Sequence, residues 1–536
     1  MSKRFYITTA IDYLNGQPHL GHAYEKVIAD VIARGHRSMG REVFFLTGLD
    51  EHGQKVQQAA MAEGKDPQSY CDELAQSWKL LLAKLGLTND DFIRTTEPRH
   101  HAVVQAILTK LNQNGHCYKA TYEGFYSTKE ETFLTEKDRL PDGTFDPVYG
   151  EVVRLKEDNY YFKLKEHQQW LIDYIEGKDI DPQDEEARCR RQNFIQPSYR
   201  RNEVLGLLKN TTLEDLCITR PLSRLNWGIP VPFDPSFVIY VWFDALVNYV
   251  TVPAWHADPL VSRTLQTKGQ NGEAALELWP ANYHIIGKDI LKFHAVYWPI
   301  FLKTMGLPLP ESILAHGWWQ KDGQKMSKTL GNIVDPIAVI DEWGPDAFRY
   351  YVVRELDIGA DGNWTDAGFQ SRYHAELANG LGNLVNRSLS MLKRYRDGVV
   401  PSRHDELAPD VNKTRAIVET CFQPKLPAHN LQGTLQSIWL LINRANQYVD
   451  QTAPFKLAKD PAQAGRLDEV LYNLAEVCRV LAVLLWPFLP TTAEKICAQL
   501  GLTGVPDKIS LSAWGGLSSG HTIGPVSPLF PRRDQA

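Results

Sequence analysis

Phe5-Tyr6-Ile7-Thr8-Thr9-Ala10-Ile11, near the start of this 536-residue chain, is rich in β-branched and aromatic residues and predicts a buried strand. A turn at residues 15–18 follows it. Residues 23–39 then carry apolar side chains at helical spacing, and residues 43–47 form a second strand-like run. Strand, helix and strand in this order open a parallel sheet, so the predicted fold class is α/β.

The sequence pattern changes twice along the rest of the chain. From residue 117 to 216, aromatic and charged residues alternate in short pieces, which indicates an insertion into the sheet. Strand-like runs resume at residues 237–242 and 283–287, and beyond residue 371 the period is almost entirely helical. We predict six ranges: first half of the sheet domain (1–116), insertion (117–216), second half (217–316), loop region (317–370), helical domain (371–514) and Gly-, Ser- and Pro-rich tail (515–536).

The composition is ordinary for a globular protein, with 43% hydrophobic residues, 23% charged residues and a net charge of −6. No run of eighteen apolar residues occurs, and the first residues lack the apolar core of a signal peptide. We therefore predict no membrane partner and a cytoplasmic location. Seven widely spaced cysteines without a Cys-x-x-Cys pair favour reduced thiols. The small acidic charge does not by itself indicate nucleic-acid binding.

His19-Leu20-Gly21-His22 falls between the first predicted strand and its helix, where open α/β sheets bind their ligands. The start of a helix attracts phosphate groups, two imidazoles can hydrogen-bond a triphosphate, and Gly21 allows a nucleotide base to approach the backbone. Two histidines in a turn are equally compatible with a simple helix cap, so this motif alone leaves both interpretations open.

A second motif, Lys325-Met326-Ser327-Lys328-Thr329, lies far along the chain between glycine-containing segments. The glycines predict a mobile loop, and two lysines with two hydroxyls suit the charge that develops on departing pyrophosphate. Lysine-rich surface loops are common, so this motif carries weight only in combination with the first.

Together, HLGH after the first strand and KMSKT on a late loop resemble the signature pair of class I aminoacyl-tRNA synthetases. The resemblance implies a Rossmann-type catalytic domain split by a connective insertion and followed by an α-helical anticodon-binding bundle. It implies ATP with Mg²⁺ as co-substrate and catalysis by positioning and charge stabilisation. It assigns catalysis to His19, His22, Lys325 and Lys328, and ATP binding to these four together with Gly21, Met326, Ser327 and Thr329.

Longer stretches between residue 5 and about residue 489 resemble methionyl-tRNA synthetases, among them FLTGLDEHG (45–53), WGIPVP (227–232) and YVWFDAL (240–246). This resemblance implies a ligase that activates L-methionine and transfers it to the 3′-terminal adenosine of tRNA(Met), initiator tRNA included. It places Arg224 near the substrate carboxylate or phosphates. The implied methionine site comprises Ala10, Ile11, Tyr13, Asp50 at the ammonium group, Trp242, Ala245, Leu246, Tyr249, Ile290, His294 and Trp298.

The residue types in this set agree with a thioether ligand. Aromatic edges suit a polarizable sulfur chain, and Tyr249 and His294 can each donate a hydrogen bond towards sulfur. A buried tryptophan beside a strand is more often part of the core, which is the competing interpretation of Trp298. Ala10 and Asp12 replace the proline and tyrosine that many relatives have, and Asp12 brings an extra charge next to the pocket.

The insertion departs from the family pattern for zinc. Relatives often bind zinc through Cys-x-x-Cys and a second pair of ligands, but the first pair falls on Ser127 and Glu130. The second region, residues 145–150, holds neither cysteine nor histidine. Because structural zinc takes four thiolate or imidazole ligands, we predict a knuckle without zinc and no metal ligands among the site residues.

The resemblance also implies how tRNA is read. Asn383 and Arg387 are four apart, hence on one helix face, and match the family pair that reads anticodon bases. The partner aromatic, usually tryptophan, falls on Phe455, which stacks on a base but has no N–H group. Since the chain ends soon after the helical domain, we expect a monomer.

Four alternatives compete with this interpretation. Synthetases for leucine, isoleucine or valine have a much larger editing insertion than residues 117–216, and one for cysteine would show thiolate zinc ligands near its pocket. Nucleotidylyltransferases also use HxGH but are generally shorter. A tRNA-binding protein with a decayed catalytic domain is disfavoured because His19, His22, Lys325 and Lys328 are all present.

Overall fold

The computed structural model describes residues 4–127, 132–134, 136–257, 278–326, 331–423 and 430–532. Its first elements form one half of a parallel sheet with the helices that pack on it. In chain order these are β1 (Phe5–Tyr13), α1 (Leu20–Ser38), β2 (Val43–Asp50), α2 (Gln54–Ala62), α3 (Pro67–Leu85), β3 (Asp91–Arg94) and α4 (Pro98–Gln113).

Both opening strands are longer than the sequence pattern predicts, and this extension matters for the site. β1 continues to Tyr13 and β2 to Asp50, and these two residues are paired in the parallel ladder. The ladder shifts register between Thr8 and Ile11, which marks an irregularity just before the strand ends. The extension therefore places Tyr13 and Asp50 side by side at the carboxyl edge of the sheet.

The middle of the chain forms a second, antiparallel sheet. Its elements are β4 (Cys117–Ser127), β5 (Thr132–Leu134), β6 (Val152–Phe162), α5 (Gln168–Glu176), α6 (Glu185–Gln192), β7 (Ile195–Gln196), α7 (Ser198–Asn210) and β8 (Leu216–Cys217). The sheet order is β5-β4-β6-β8, built on a long hairpin between β4 and β6. β7 is the exception, because it pairs in parallel with a strand of the first sheet. The range predicted as an insertion thus also supplies an edge strand to the main sheet.

The chain then returns to the main sheet. Its elements are β9 (Thr219–Pro221), β10 (Phe237–Ile239), α8 (Val241–Ala257), β11 (Tyr283–Gly287), α9 (Trp298–Met305), β12 (Ser312–His316), β13 (Trp319–Lys321), β14 (Gln324–Lys325), α10 (Pro336–Trp343), α11 (Pro345–Arg354) and β15 (Gly362–Trp364). The main sheet has the order β3-β2-β1-β11-β12-β7, and every pairing in it is parallel. Strand order reverses between β1 and β11, where sheets of this class bind ligands.

The last part of the described chain is helical, as its sequence period predicts. The helices are α12 (Asp366–Arg372), α13 (Asn383–Arg396), α14 (Ala408–Cys421), α15 (Leu431–Thr452), α16 (Pro454–Leu457), α17 (Ala464–Leu485) and α18 (Pro490–Gln499), and a π-helical segment, Tyr373–Gly382, joins α12 to α13. The residues after 514 pack on this bundle. Glu476, buried on α17, accepts hydrogen bonds from the backbone of Gly515, Gly516 and Leu517 and thereby fixes the tail.

Buried charges join the sheet to the helical bundle. Arg349 of α11 is fully buried, pairs with Asp30 of α1 at 2.8 Å, and donates to the carbonyls of Pro487 and Phe488. Asp30 is also paired with Arg34 at 2.9 Å. Burial opposes ionisation of Asp30, but the two guanidinium groups lower its pKa below the usual value. Helix α1 is therefore buried on both faces, between sheet and bundle.

None of the helices in the described ranges is both long enough and apolar enough to cross a membrane.

Candidate active site

A cavity of about 540 Å³ opens at the carboxyl ends of β1, β2, β11 and β12, beside the start of α1 and the first turns of α8. The extended ends of β1 and β2 bring Tyr13 and Asp50 to its rim. Fifteen of the residues that the sequence assigns to substrates line it: Ala10, Ile11, Tyr13, His19, Gly21, His22, Asp50, Trp242, Ala245, Leu246, Tyr249, Ile290, His294, Lys325 and Met326.

Of the five other residues assigned to substrates, two are described and do not line this cavity. Ser327, Lys328 and Thr329 lie outside the described residues, as does Glu130 of the knuckle. Trp298 and Arg224 are described and lie elsewhere. The positions of both therefore differ from the expectation.

The HLGH motif begins helix α1 and caps it. His19 precedes the helix, and its Nδ1 accepts a hydrogen bond from the Gly21 amide at 3.1 Å. The His19 amide in turn donates to Nδ1 of His22 at 3.2 Å, so the two side chains form a reciprocal capping box. The imidazole rings stack with centroids 3.7 Å apart. The cap and the ligand-binding interpretation of this motif are therefore compatible.

This capping pattern fixes the tautomer of both histidines. Because each Nδ1 accepts a backbone hydrogen bond, the neutral rings carry their proton on Nε2. Burial, and then the neighbouring His19, hold the pKa of His22 well below its ordinary value, so His22 is neutral at pH 7. Gly21 has a local role as well, since a Cβ there would lie 3.1 Å from Cε1 of His19.

The apolar side of the cavity is formed by α8 and the segment after β11. Trp242 stacks flat on Phe293, with centroids 3.6 Å apart and planes 9° apart. Tyr249 and His294 are hydrogen-bonded through Oη and Nε2 at 2.7 Å. Nδ1 of His294 contacts the carbonyl of Ile290 at 3.0 Å and so donates to it. Burial lowers the pKa of His294 to about 4.

The Tyr249–His294 pair corrects one expectation from the sequence. In the neutral His294 ring the only N–H bonds Ile290, and Nε2 is then an acceptor for the Tyr249 hydroxyl. Both protons are used inside the protein. The two side chains therefore present rings and lone pairs to the cavity, whereas the sequence argument had each of them donating to sulfur.

Trp298 is a core residue in this structure. It is fully buried, and its Nε1 donates to Nε2 of His284 at 3.2 Å, while Nδ1 of His284 contacts Oγ1 of Thr8 at 2.7 Å. The preceding Phe293–Tyr297 segment is π-helical. In a π-helix the hydrogen bonds run from residue i to i+5, so side chains four apart no longer share a face. Trp298 therefore lies behind His294 and not beside it.

Arg224 is also displaced from the expected position. Its Nη1 lies 2.9 and 3.0 Å from the two carboxylate oxygens of Glu157 on β6, and its guanidinium lies 3.9 Å from the ring centroid of Tyr126. These contacts bind it to the hairpin sheet. A second arginine, Arg220, is buried against Tyr240, a lining residue, at 4.5 Å. No sequence motif had indicated Arg220 as a site residue.

The sequence argument also missed a buried charge network at the floor of the cavity. Lys26 is 1% exposed; its Nζ lies 2.8 Å from Asp12, 3.0 Å from Glu25 and 2.9 Å from the carbonyl of Ala10. Glu25 in turn accepts from Nε2 of His316 at 3.1 Å. His22 and Lys26 are four apart on α1, so helical spacing could have pointed to Lys26.

The charges in this network are mutually dependent. Burial raises the pKa of Asp12, which Lys26 only partly offsets. Burial would also raise the pKa of Glu25, but Lys26 and His316 lower it below the usual value. Burial opposes protonation of His316, yet the hydrogen bond that it donates to Glu25 raises its pKa. Two anionic and two cationic groups therefore balance at the cavity floor when Asp12 is ionised.

A second buried network supports the opposite wall. Asp244 on α8 accepts from Nδ1 of His52 at 2.6 Å and from Nε2 of His100 at 2.7 Å. Its own burial raises the pKa, but the two imidazoles dominate and lower it to about 2. His52 follows Asp50 at the end of β2, and Asp244 lies between Trp242 and Ala245. The motifs FLTGLDEHG and YVWFDAL are thus joined by direct contact.

The residues assigned to tRNA lie on the helical bundle. Arg387, on α13, contacts Asp450 near the end of α15 at 3.1 Å. Phe455 follows on the short helix α16 and is 46% exposed, so part of its ring is open to contact. Asn383 begins α13, directly after the π-helical segment.

The knuckle position of the hairpin is occupied by a hydrogen-bonded hydroxyl. Ser127 is buried and its Oγ donates to the carbonyl of Tyr149 at 2.6 Å.

Comparison with known proteins agrees with this geometry. The family model described as "tRNA synthetases class I (M)" matches residues 5–144 and 146–389. A methionine–tRNA ligase of Caldanaerobacter subterraneus is 40% identical over 536 residues, covering 100% of this chain and 80% of the relative, and that of Bacillus subtilis is 42% identical, covering 98% and 78%. The solved structure of Mycobacterium tuberculosis methionyl-tRNA synthetase with methionyl-adenylate superposes with a TM-score of 0.87 at 36% identity, covering 99% of this chain and 100% of that one. The HLGH motif caps the helix that follows the first strand of a parallel sheet, and relatives of this similarity cover nearly the whole chain. The chain therefore belongs to the methionine–tRNA ligase family of class I tRNA synthetases.

Proposed function

We propose that this chain activates L-methionine with ATP to methionyl-adenylate and pyrophosphate, and then transfers the methionyl group to the 3′-terminal adenosine of tRNA(Met). The single observation that supports this best is the composition of one cavity. The cavity lies where the strand order of the sheet reverses. It combines the HLGH motif at a helix start that can bind phosphate, the carboxylate of Asp50 and a wall of aromatic side chains.

ATP occupies the side of the cavity nearest α1 in this proposal. His19 and His22 carry their protons on Nε2, so in the neutral form each offers one N–H donor for phosphate oxygens. The positive end of the α1 dipole adds to this attraction. Lys325 lines the same cavity from the β13–β14 hairpin and stabilises the charge that grows on pyrophosphate. We assign Lys328, Ser327 and Thr329 to the same task by family resemblance.

Methionine occupies the aromatic side. Asp50 is the carboxylate that binds the substrate ammonium group, and the thioether packs between Trp242, Leu246 and the Tyr249–His294 pair. Since these two side chains offer rings and lone pairs, selection of the thioether depends on shape and dispersion. Hydrophobic pockets of this type separate substrates that differ by one methylene only about 10- to 200-fold.

Further assignments concern the metals, the anticodon, and the oligomeric state and location of the chain. Mg²⁺ enters with ATP as part of the co-substrate, and no zinc binds at the knuckle positions Ser127 and Glu130. Asn383, Arg387 and Phe455 bind the anticodon, with Phe455 stacking on a base. The chain acts as a monomer in the cytoplasm, and light scattering of the purified protein tests the first part of that statement.

The experiment that tests the whole proposal is methionylation of a tRNA(Met) transcript, with Asp50→Asn as the site variant. Loss of a charged partner for the ammonium group costs about 1.5–3 kcal/mol, which corresponds to a decrease of about 10- to 150-fold in kcat/KM for methionine. KM for ATP is expected to stay near the wild-type value. Equal loss for both substrates would mean that Asp50 supports the fold and does not bind the amino acid.

A further inference from the structure

Two histidines and one glutamate lie together at the base of the β4–β6 hairpin. His116 directly precedes β4, and Glu166 and His167 lie in the turn before α5. One donor atom from each of the three falls within 4.8 Å of the others. None of the three lines the candidate active site, and no role in methionine activation uses them.

The backbone holds these side chains in place. The Lys163 amide donates to the carbonyl of His116 at 2.9 Å, and Cys117 is paired with Phe162 in the hairpin ladder. The His167 amide donates to the carbonyl of Leu164 at 3.1 Å. The end of α4 and the start of α5 are therefore fixed relative to each other before any ligand binds.

The donor spacing is close to that of a metal site. Zinc bonds to imidazole nitrogen and carboxylate oxygen of about 2.1 Å, in tetrahedral geometry, put neighbouring donors about 3.4 Å apart. Nε2 of His167 and the nearer oxygen of Glu166 are 3.4 Å apart. The other two donor pairs need to close by at most about 1.4 Å. Rotation of the Glu166 side chain, which is 54% exposed, supplies this for its pair with His116, and the two imidazoles must close the third pair.

The state of His167 is the second observation. Its side chain is only 12% exposed, and its buried Nε2 makes no hydrogen bond within the described structure, although the Glu166 carboxylate lies 3.4 Å away. A buried polar atom without a partner costs roughly 1–3 kcal/mol, and native proteins usually satisfy such atoms with protein, water or an ion. The unbonded nitrogen points to a ligand at this position.

We propose that His116, Glu166 and His167 bind one Zn²⁺ ion, with water at the fourth position. Two imidazoles and one carboxylate suit zinc, whereas Mg²⁺ and Ca²⁺ prefer sites made of oxygen atoms alone. The ion ties the end of α4 to the start of α5 and so fixes the base of the hairpin. It is separate from the family's knuckle position, because Ser127 lies at the far end of β4.

The charge of Lys303 provides a sharp test of location. Its ammonium group acts electrostatically on His167 and lies 4.3 Å from the ring centroid of Trp170. A nearby positive charge disfavours a bound cation, so Lys303→Met, which keeps the length of the side chain, is expected to tighten zinc binding. Zinc bound at a distant cysteine or histidine would not respond to this change.

The experiment is calorimetric titration of untagged, chelator-washed full-length protein with Zn²⁺ alone, followed by Co²⁺ as a spectroscopic probe of coordination. We expect one ion per chain, a visible Co²⁺ spectrum typical of four-coordination, and a zinc-dependent rise in Tm. His116→Gln and His167→Gln are expected to weaken binding by more than the 10- to 100-fold that loss of an outer-sphere partner costs. His404→Gln, on the helical domain, and Cys189→Ser, an exposed thiol, are matched controls that keep wild-type affinity.

Glu166→Gln is the variant that cannot be dismissed as unfolded, because its side chain lies at the surface. We expect at least tenfold weaker binding with unchanged methionine-dependent pyrophosphate exchange. The proposal is overturned if wild type binds no zinc, if any one of the three ligand variants keeps full affinity, or if Cys189→Ser abolishes binding.

Discussion

Lys26 provides the most quantitative test of how the active site is built. Lys26→Met keeps the length and packing of the side chain but removes the cation between Asp12 and Glu25, which lie 2.8 and 3.0 Å from Nζ. All three side chains are less than a tenth exposed. Removing one partner of a buried ion pair typically costs about 3–5 kcal/mol, because the remaining charge is left without compensation.

The charge count of the network predicts a rescue. Wild type has Asp12 and Glu25 balanced by Lys26 and His316. Lys26→Met leaves Asp12 either with an uncompensated charge or forced to take up a proton, and adding Asp12→Asn removes both costs while the Glu25–His316 pair is kept. The double variant should therefore be more stable than Lys26→Met alone, with a coupling energy of about 0.5–3 kcal/mol.

The assay is urea unfolding followed by tryptophan fluorescence, with free energies compared at a common m-value. It is run at pH 8, because the pKa of Asp12 is raised by burial to about 7 and the carboxylate must be ionised. Lys413→Met, on an exposed face of α14, is the matched control and should stay within about 0.5 kcal/mol of wild type. A cost for Lys26→Met below about 1 kcal/mol, or losses that simply add in the double variant, would refute the network.

Two other predictions use the same structure. Phe455→Ala is expected to reduce kcat/KM for tRNA(Met) charging by an amount equivalent to about 1–3 kcal/mol, the usual value of one stacked base. Methionine-dependent pyrophosphate exchange is expected to be unchanged. Equal loss in both assays would make Phe455 a core residue. His294 has a pKa lowered to about 4 by burial, so its contribution to stability is full above pH 6.5 and is lost as the pH falls towards 4. His294→Gln should reduce the pH dependence of the unfolding free energy in that window by at most about 1.4 kcal/mol per pH unit, and an unchanged slope would contradict the assignment.

The sequence predicted those parts of the site that local chemistry encodes. HLGH indicates the start of a helix, and the β-branched runs before and after it indicate strands. Tyr13 and Asp50, at the extended ends of those strands, were indicated only by family resemblance. The sequence could not predict which side chains line the cavity and which lie behind it, because this depends on helix geometry. Family resemblance placed Trp298 in the methionine pocket with His294, but the π-helical segment before it separates the two side chains, and Trp298 lies in the core. Arg224 was placed at the substrate by alignment of a motif, whereas its carboxylate partner, Glu157, comes from a distant hairpin.

Other features had a weak local signal or none. β7, the edge strand of the main sheet, is only two residues long and lies inside a range that reads as an insertion. Lys26 reads as a surface lysine because helices usually expose lysine, yet α1 is buried on both sides by sheet and bundle. Only the tertiary structure shows that this lysine compensates the Asp12 that replaces an uncharged residue of many relatives.

The central claim, that one cavity joins methionine to ATP, is tested most directly by amino-acid-dependent ATP–pyrophosphate exchange. The purified chain is assayed with methionine, leucine, isoleucine, valine and cysteine separately. The account predicts exchange with methionine and little or none with the other four. Efficient exchange with any of those four would leave the class I framework intact and overturn the pocket. No exchange with any amino acid would contradict the enzymatic claim itself.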